Sequence, residues 1–270
     1  MPILMPILLL SGIAIVCAVL LTVSDVFFGI KEDETVLAVR DCLPGANCGA
    51  CGYSGCDGYA KAVAEGKAPT NLCIPGGDKT AADIAAVLGV EAADVIERVA
   101  VVACNGTCDA AQLRYEYRGA KNCRAANLSY SGAKLCSNAC LGYGDCVNAC
   151  PHNAISIRNG VAVVDSDECV GCGICAHFCP NNLIRLITDT TRVVVKCSNT
   201  EKGAVTRKQC TNGCIGCMKC EKTCPHGAIK VENNLARINY ELCTGCGECA
   251  KVCPVHCIHE GVFTSGSHGE

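Results

Sequence analysis

The stretch CSNACLGYGDCVNACP, residues 136–151, recurs 74 positions later as CTNGCIGCMKCEKTCP, residues 210–225. Every cysteine of the first copy has a counterpart in the second, without a gap. The reverse fails at one place, where Cys217 faces Tyr143. Carried outward at the same offset, Cys123, Cys136, Cys140, Cys146, Cys150, Cys169, Cys172, Cys175 and Cys179 map onto Cys197, Cys210, Cys214, Cys220, Cys224, Cys243, Cys246, Cys249 and Cys253. Between them AISIRNGVAVVD (154–165) maps onto AIKVENNLARIN (228–239). Both segments alternate apolar and polar residues about Asn-Gly or Asn-Asn, the pattern of a hairpin with a tight primed turn. Each copy therefore reads as a cysteine loop, a hairpin and a second cysteine loop, an internal duplication.

The spacing carries the chemistry. CVGCGICAHFCP (169–180), CIGCMKCEKTCP (214–225) and CTGCGECAKVCP (243–254) all read C-x2-C-x2-C-x3-C-P. Short spacers let three turns aim three sulfurs at one iron–sulfur cubane, while the fourth cysteine, before proline, reaches a neighbouring cluster. Cysteines this close in one loop pair poorly as disulfides. Structural zinc sites use separated C-x2-C pairs rather than a four-cysteine run ending in proline. Cross-ligation groups Cys214, Cys217 and Cys220 with Cys253, and Cys243, Cys246 and Cys249 with Cys224. In the first copy Cys169, Cys172 and Cys175 go with Cys150. The remaining site has Cys140, Cys146 and Cys179, and Tyr143 leaves it one ligand short. Cys136 is the nearest free thiol and is assigned here as the missing ligand; the alternative is a three-cysteine site holding a [3Fe–4S] cluster. Nearer the N-terminus, Cys48, Cys51, Cys56 and Cys73 stand on glycine-rich turns that suit a further cubane. His152 and His226 follow the C-P turns and read as turn residues.

Composition agrees. The chain has 270 residues and 28 cysteines, about a tenth of the total, with 4% aromatic residues and no tryptophan. Large apolar side chains supply little of such a core, and cluster binding is then part of the folding free energy. No basic tract with interleaved aromatics points to nucleic acid, and no dinucleotide-binding or P-loop motif is present. Residues 1–24, MPILMPILLLSGIAIVCAVLLTVS, carry no charge. As a helix they would span about 36 Å, enough for a bilayer. A cleaved secretory signal is the alternative, opposed by the missing basic start and the length of the apolar run. Reduced thiolates place the cluster domains in the cytoplasm, which makes the expectation a single-pass cell-membrane protein.

Residues 43–77, LPGANCGACGYSGCDGYAKAV…NLCIPGG, resemble the N-terminal cluster domain of the B subunit of Rnf complexes. The apolar helix before them and the CLGYGDCVNACP, VAVVD and CIGCMKC segments after them are similar to the longer, anaerobe-type form of that family. The resemblance implies a membrane complex that moves electrons from reduced ferredoxin to NAD and pumps sodium ions or protons. Flavin and NAD sites are then expected on partner subunits, and only [4Fe–4S] clusters on this one. The expected fold is α+β: a transmembrane anchor (1–28), a small helical iron–sulfur domain (29–100) and duplicated ferredoxin-like hairpin-and-loop modules (101–260, copies about 116–189 and 190–260). A disordered tail (261–270) would follow. Two short amphipathic helices are expected within 78–99, from the spacing of Ile84, Val87, Leu88 and Val95.

Five clusters use twenty thiols. Cys104, Cys123, Cys197 and Cys210 remain and could hold a sixth. A second possibility is Cys104, Cys108, Cys123 and Cys136, and a third is that these are buried apolar thiols. Cys17, Cys42, Cys108 and Cys257 stay unassigned. The leading function is an electron relay with no substrate chemistry of its own. The alternative is a catalytic subunit reducing a small substrate at an open iron site beside Tyr143. Charge is uneven: residues 190–231 hold Arg192, Lys196, Lys202, Arg207, Lys208, Lys219, Lys222 and Lys230 against Glu201 and Glu221. The matching first-copy stretch, 116–157, holds Arg118, Lys121, Arg124 and Lys134 against Glu116 and Asp145. The resemblance implies an acidic ferredoxin as donor, so the second copy is expected to face it.

Overall fold

The computed structural model describes residues 4–28, 33–188 and 193–260, with side chains of the first helix described over 9–23. Arg192 and the tail 261–270, on which two of the expectations above fall, lie outside the described residues.

Helix α1 (Leu4–Phe28) is apolar with no basic residue in its last turn. Among the described residues no helix is long and apolar enough to cross a membrane. The fold therefore does not itself establish the expected transmembrane helix.

Helix α2 (Glu34–Cys42) starts at Asp33, whose carboxylate accepts from the Thr35 amide at 3.1 Å, an N-cap. It packs on α3 (Cys56–Ala64), the helix expected between the last two cysteines of the N-terminal motif. Val39, Tyr59, Ala60, Val63 and Ile84 are buried between them and α4 (Gly77–Leu88). Arg40 of α2 pairs with Asp57 of α3. After α4 the prediction of a second helix is wrong. Gly89 takes the left-handed conformation, φ 67°, and ends the helix. The chain then runs to strand β1 (Arg98–Val102), because RVAVV is β-branched and buries four of its five residues.

The duplication appears as two copies of one design. In the first, hairpin β2 (Ile155–Arg158) and β3 (Val161–Val164) turns at Asn159-Gly160. In the second, β6 (Ile229–Glu232) and β7 (Leu235–Ile238) turn at Asn233-Asn234. All four turn residues have positive φ, as a primed turn requires. An outer two-stranded antiparallel sheet completes each copy. It pairs β1 with β4 (Ile184–Thr188) in one, and β5 (Val193–Val195) with β8 (Ile258–Glu260) in the other. The first cysteine loop lies flat on the hairpin turn in both copies. A Cβ on Gly142 would come within 2.7 Å of the Gly160 carbonyl oxygen, and one on Gly216 within 3.1 Å of Asn234. The copies meet through Val99, Val101, Ile187 and Val194.

Short helices carry the cysteines. In the first copy these are α5 (Cys123–Leu128), α6 (Asp145–Asn148) and α7 (Ile174–Phe178). In the second they are α9 (Lys219–Thr223) and α10 (Glu248–Lys251), while α8 (Gly203–Gln209) holds no cysteine and ends at Cys210.

Candidate iron–sulfur centres

The repeat is not at a constant offset, and this decides where two cysteines go. The amide of Ala103 donates to Leu183 at 2.7 Å, and that of Lys196 to Cys257 at 2.7 Å. Val102 pairs with Ile184, and Val195 with Ile258. The structural counterpart of Cys197 is therefore Cys104, not Cys123. Cys104 and Cys136 stand 32 positions apart, Cys197 and Cys210 only 13, so the first copy carries 19 extra residues here. Helix α5 lies in that insertion, and Cys123 arrives with it.

Cys104, Cys136, Cys197 and Cys210 consequently surround one cavity between the copies, with Asn138, Lys196 and Asn212 in its wall. This corrects the assignment of Cys136 to the Tyr143 site and of Cys123 to the sixth one. The two thiols exchange places, and the grouping with Cys108 does not form. The walls of the cavity are stitched by hydrogen bonds between the copies: Ser198 Oγ to Ala103 O (3.0 Å), Asn212 Nδ2 to Asn105 O (3.0 Å) and the Gln112 amide to Gln209 O (2.8 Å).

Cys123 lines a second cavity with Cys140, Cys146 and Cys179. Asn122 caps α5 by accepting from the Ala125 amide at 2.7 Å. The Asp145 carboxylate accepts from the amides of Cys123 and Arg124 at 2.8 and 3.0 Å. Asp145 opens α6, which bears Cys146, so one carboxylate ties both cysteine-bearing helices together. Tyr143 is half-buried, its ring 5.6 Å from that of Tyr117.

In the second copy two further cavities are lined by cysteines. Cys214, Cys217, Cys220 and Cys253 line one cavity, and Cys224, Cys243, Cys246 and Cys249 another. The four cavities hold ≈ 360, 340, 340 and 300 Å³ of empty space, part of it open to solvent. Their likeness in size and lining argues for one kind of occupant. Cys175 sits beside Cys169, Cys172 and Cys150, and Cys73 beside Cys56, Cys48 and Cys51. Among the described residues no group of three or more His, Cys, Asp or Glu converges on a single ion. The sulfurs ring voids instead, a donor set suited to a cubane bridging four thiolates rather than to zinc.

Electrostatics favour the same occupant. Burial, with Cys104, Cys197 and Cys210 close by, pushes the Cys136 thiol up to about 12. Burial, then Cys140, Cys123 and Cys179, pushes Cys146 up to about 12. Burial raises Cys197, Cys220 and Cys249 to about 11. Such thiols stay protonated at neutral pH unless a metal's charge displaces the proton, so loading releases protons. Cys214 and Cys253 run the other way, drawn down by hydrogen bonds from Cys257, whose own thiol is pushed up. Amides already point at sulfurs: Ala162 to Cys140 Sγ (3.4 Å), Leu183 to Cys179 Sγ (3.3 Å) and Ala100 to Cys169 Sγ (3.5 Å).

Neighbouring groups lie near one another in one sequence. Cys48 lies near Cys172. Cys175 lies near Cys146, and α6 and α7 each serve both first-copy groups. The Cys140 amide donates to Cys104 Sγ at 3.3 Å, and the Cys214 amide to Cys197 Sγ at 3.3 Å. Helix α9 holds Cys220 and ends at Cys224. The order runs from the N-terminal motif through the first copy and the shared centre to the second copy.

Comparison with known proteins gives the family. A family described as "Putative Fe-S cluster" matches residues 43–75. Two described as "4Fe-4S dicluster domain" match 133–186 with 204–259, and 168–229. The chain is 42% identical over 257 residues to the B subunit of the Na(+)-translocating ferredoxin:NAD(+) oxidoreductase complex of Acetobacterium woodii, covering 95% of this chain and 77% of that one. It is 40% identical over 243 residues to the B subunit of the proton-translocating ferredoxin:NAD(+) oxidoreductase complex of Clostridium ljungdahlii, covering 89% and 86%. With the B subunit of the ion-translocating oxidoreductase complex of Methanosarcina acetivorans it shares 38% identity, covering 87% and 89%. Read with its several [4Fe–4S] domains, this identity over nearly the whole length means that the chain belongs to the Rnf family of B subunits, the iron–sulfur electron-transfer subunits of ion-translocating ferredoxin:NAD oxidoreductase complexes.

Proposed function

We propose that this chain is a membrane-anchored relay of six [4Fe–4S] clusters. It takes electrons from reduced ferredoxin at its second copy and gives them to partner subunits near the N-terminal motif. The observation that supports this reading most is the unbranched order of contacts among the six cysteine groups. Each cluster would supply one-electron transfer at a potential set by its surroundings. The chain's own residues hold the clusters through Cys48, Cys51, Cys56 and Cys73; Cys150, Cys169, Cys172 and Cys175; Cys123, Cys140, Cys146 and Cys179; Cys104, Cys136, Cys197 and Cys210; Cys214, Cys217, Cys220 and Cys253; and Cys224, Cys243, Cys246 and Cys249. Burial of most of these thiols keeps water from the interior of the file. The two ends of the reading rest on different features. Cys217 and Cys246 are exposed, which suits a donor at the second copy. Helix α1, uncharged through residue 24, precedes the N-terminal motif and suits an anchor with the cluster domains on the cytoplasmic side. Anaerobic purification of the chain with iron and sulfide counting tests the relay. About 24 iron atoms per chain are expected, at four per cubane; a value near eight would overturn it.

A further inference from the structure

Cys257 belongs to no ligand set, yet it is fully buried and lines the cavity of Cys214, Cys217, Cys220 and Cys253. Its Sγ lies 3.7 Å from Cys253 Sγ, at hydrogen-bond distance for two sulfurs, and Cys214 lines the same cavity. Its counterpart in the first copy is Leu183, by the matched amide bonds from Ala103 and Lys196. Leu183 is equally buried and lines the cavity of Cys123, Cys140, Cys146 and Cys179, but its side chain has no proton to give. The two sites thus share backbone, hairpin and three of four cysteine positions; apart from the fourth cysteine, Cys123 in one and Cys217 in the other, they differ in the side chain set against the matched sulfurs of Cys179 and Cys253.

Once Cys253 and Cys214 hold iron they are thiolates and can only accept. The S–H of Cys257 must then be the donor. A hydrogen bond to a ligand sulfur draws electron density from the cluster and stabilises its reduced, more negative state. We propose that Cys257 is a second-copy potential-setting residue. Its thiol proton makes the cluster of Cys214, Cys217, Cys220 and Cys253 easier to reduce than that of the first copy, without itself binding iron. On the relay reading, on which this rests, the electron then settles on the second-copy cluster that stands next to the central one.

The test uses the full chain loaded with iron and a potentiometric titration followed by electron paramagnetic resonance. In Cys257→Leu, the residue of the first copy, one step should move to lower potential while the others stay. At the wild-type midpoint the reduced-to-oxidised ratio of that cluster should fall roughly fivefold, the scale of one hydrogen bond. Cys257→Ser keeps a donor and should retain most of the wild-type midpoint, which separates the proton from simple packing. Leu183→Cys should raise the step of the first-copy cluster, an arm independent of whether the Cys257 variants fold. A deuteron coupling seen at the second-copy cluster in D2O should vanish in Cys257→Leu. Unchanged midpoints in both Cys257→Leu and Leu183→Cys would overturn the proposal, as would loss of iron or a three-iron signal in Cys257→Ser. Wild-type chain with too little iron for these clusters would instead overturn the relay reading itself.

Discussion

Asp145 and Lys219 occupy equivalent places in the two copies, and the exchange of charge follows what each cluster loop needs. Asp145 accepts from the amides of α5, the helix that brings Cys123 to the cavity of Cys140, Cys146 and Cys179. Lys219 has no helix to hold and stands exposed beside Cys217. At this scale the fixed offset of 74 misled. It matched Cys123 to Cys197 by count, while the structure matches Cys104 to Cys197 by hydrogen bonds. The cue was present in VAC at 102–104 and VKC at 195–197, but a 19-residue insertion hides it from any ungapped comparison. Cys123→Ala should therefore convert the centre of Cys140, Cys146 and Cys179 to a three-iron species, losing about one iron atom from its cubane. Cys136→Ala should leave that centre intact and disturb the central one. Tyr143→Cys in the Cys123→Ala background should restore the four-iron spectrum, since Tyr143 sits where Cys217 supplies a ligand. Spectra of the reverse pattern would return Cys136 to the Tyr143 site.

Elements were legible where a local pattern determines them. The two hairpins follow from alternation about residues that tolerate positive φ, and α3 from the small apolar residues between Cys56 and Ala64. The outer sheets were not legible, because β1 finds its partner only at β4, over eighty positions away, and RVAVV alone does not say which strand it will meet. The missed strand and the over-predicted helix in 78–99 have one cause: Gly89 stops the helical repeat that Val95 continues by spacing alone. Helices α2 through α4 close their own core of Val39, Tyr59 and Ile84. Removing residues 1–28 should yield a chain that stays soluble without detergent and keeps its visible absorption. A truncated chain that still sediments with membranes in the absence of partners would contradict the single anchor.

Over the whole molecule, exposed positive charge is concentrated on the second copy. Lys202, Arg207, Lys208, Lys219, Lys222 and Lys230 are exposed, while Glu221 is held by the Val231 amide at 2.8 Å. Two lysines in the sequence count play other parts. Lys196 lines the central cavity, where burial lowers its pKa. Lys134 is buried, donating to the carbonyls of Gly106 and Gly160 at 2.6 and 2.9 Å, which leaves the first copy's surface still less basic. Complementary charge chiefly raises encounter rates. Reversing Lys219 and Lys222 to Glu should slow oxidation of reduced ferredoxin several-fold at low salt, with the difference closing as the Debye length falls below about 10 Å. Equal rates at low ionic strength would move the docking face elsewhere. The central cavity also has a consequence for biogenesis. Two of its four thiols come from each copy, so neither half of the duplication can be filled and finished alone. On the six-cluster reading, the middle centre can be inserted only when both halves have folded against each other, and a nascent or clipped chain lacks it. A carrier with a gap in its middle conducts nothing, so the same geometry that joins the two halves also keeps a half-made one from passing electrons astray.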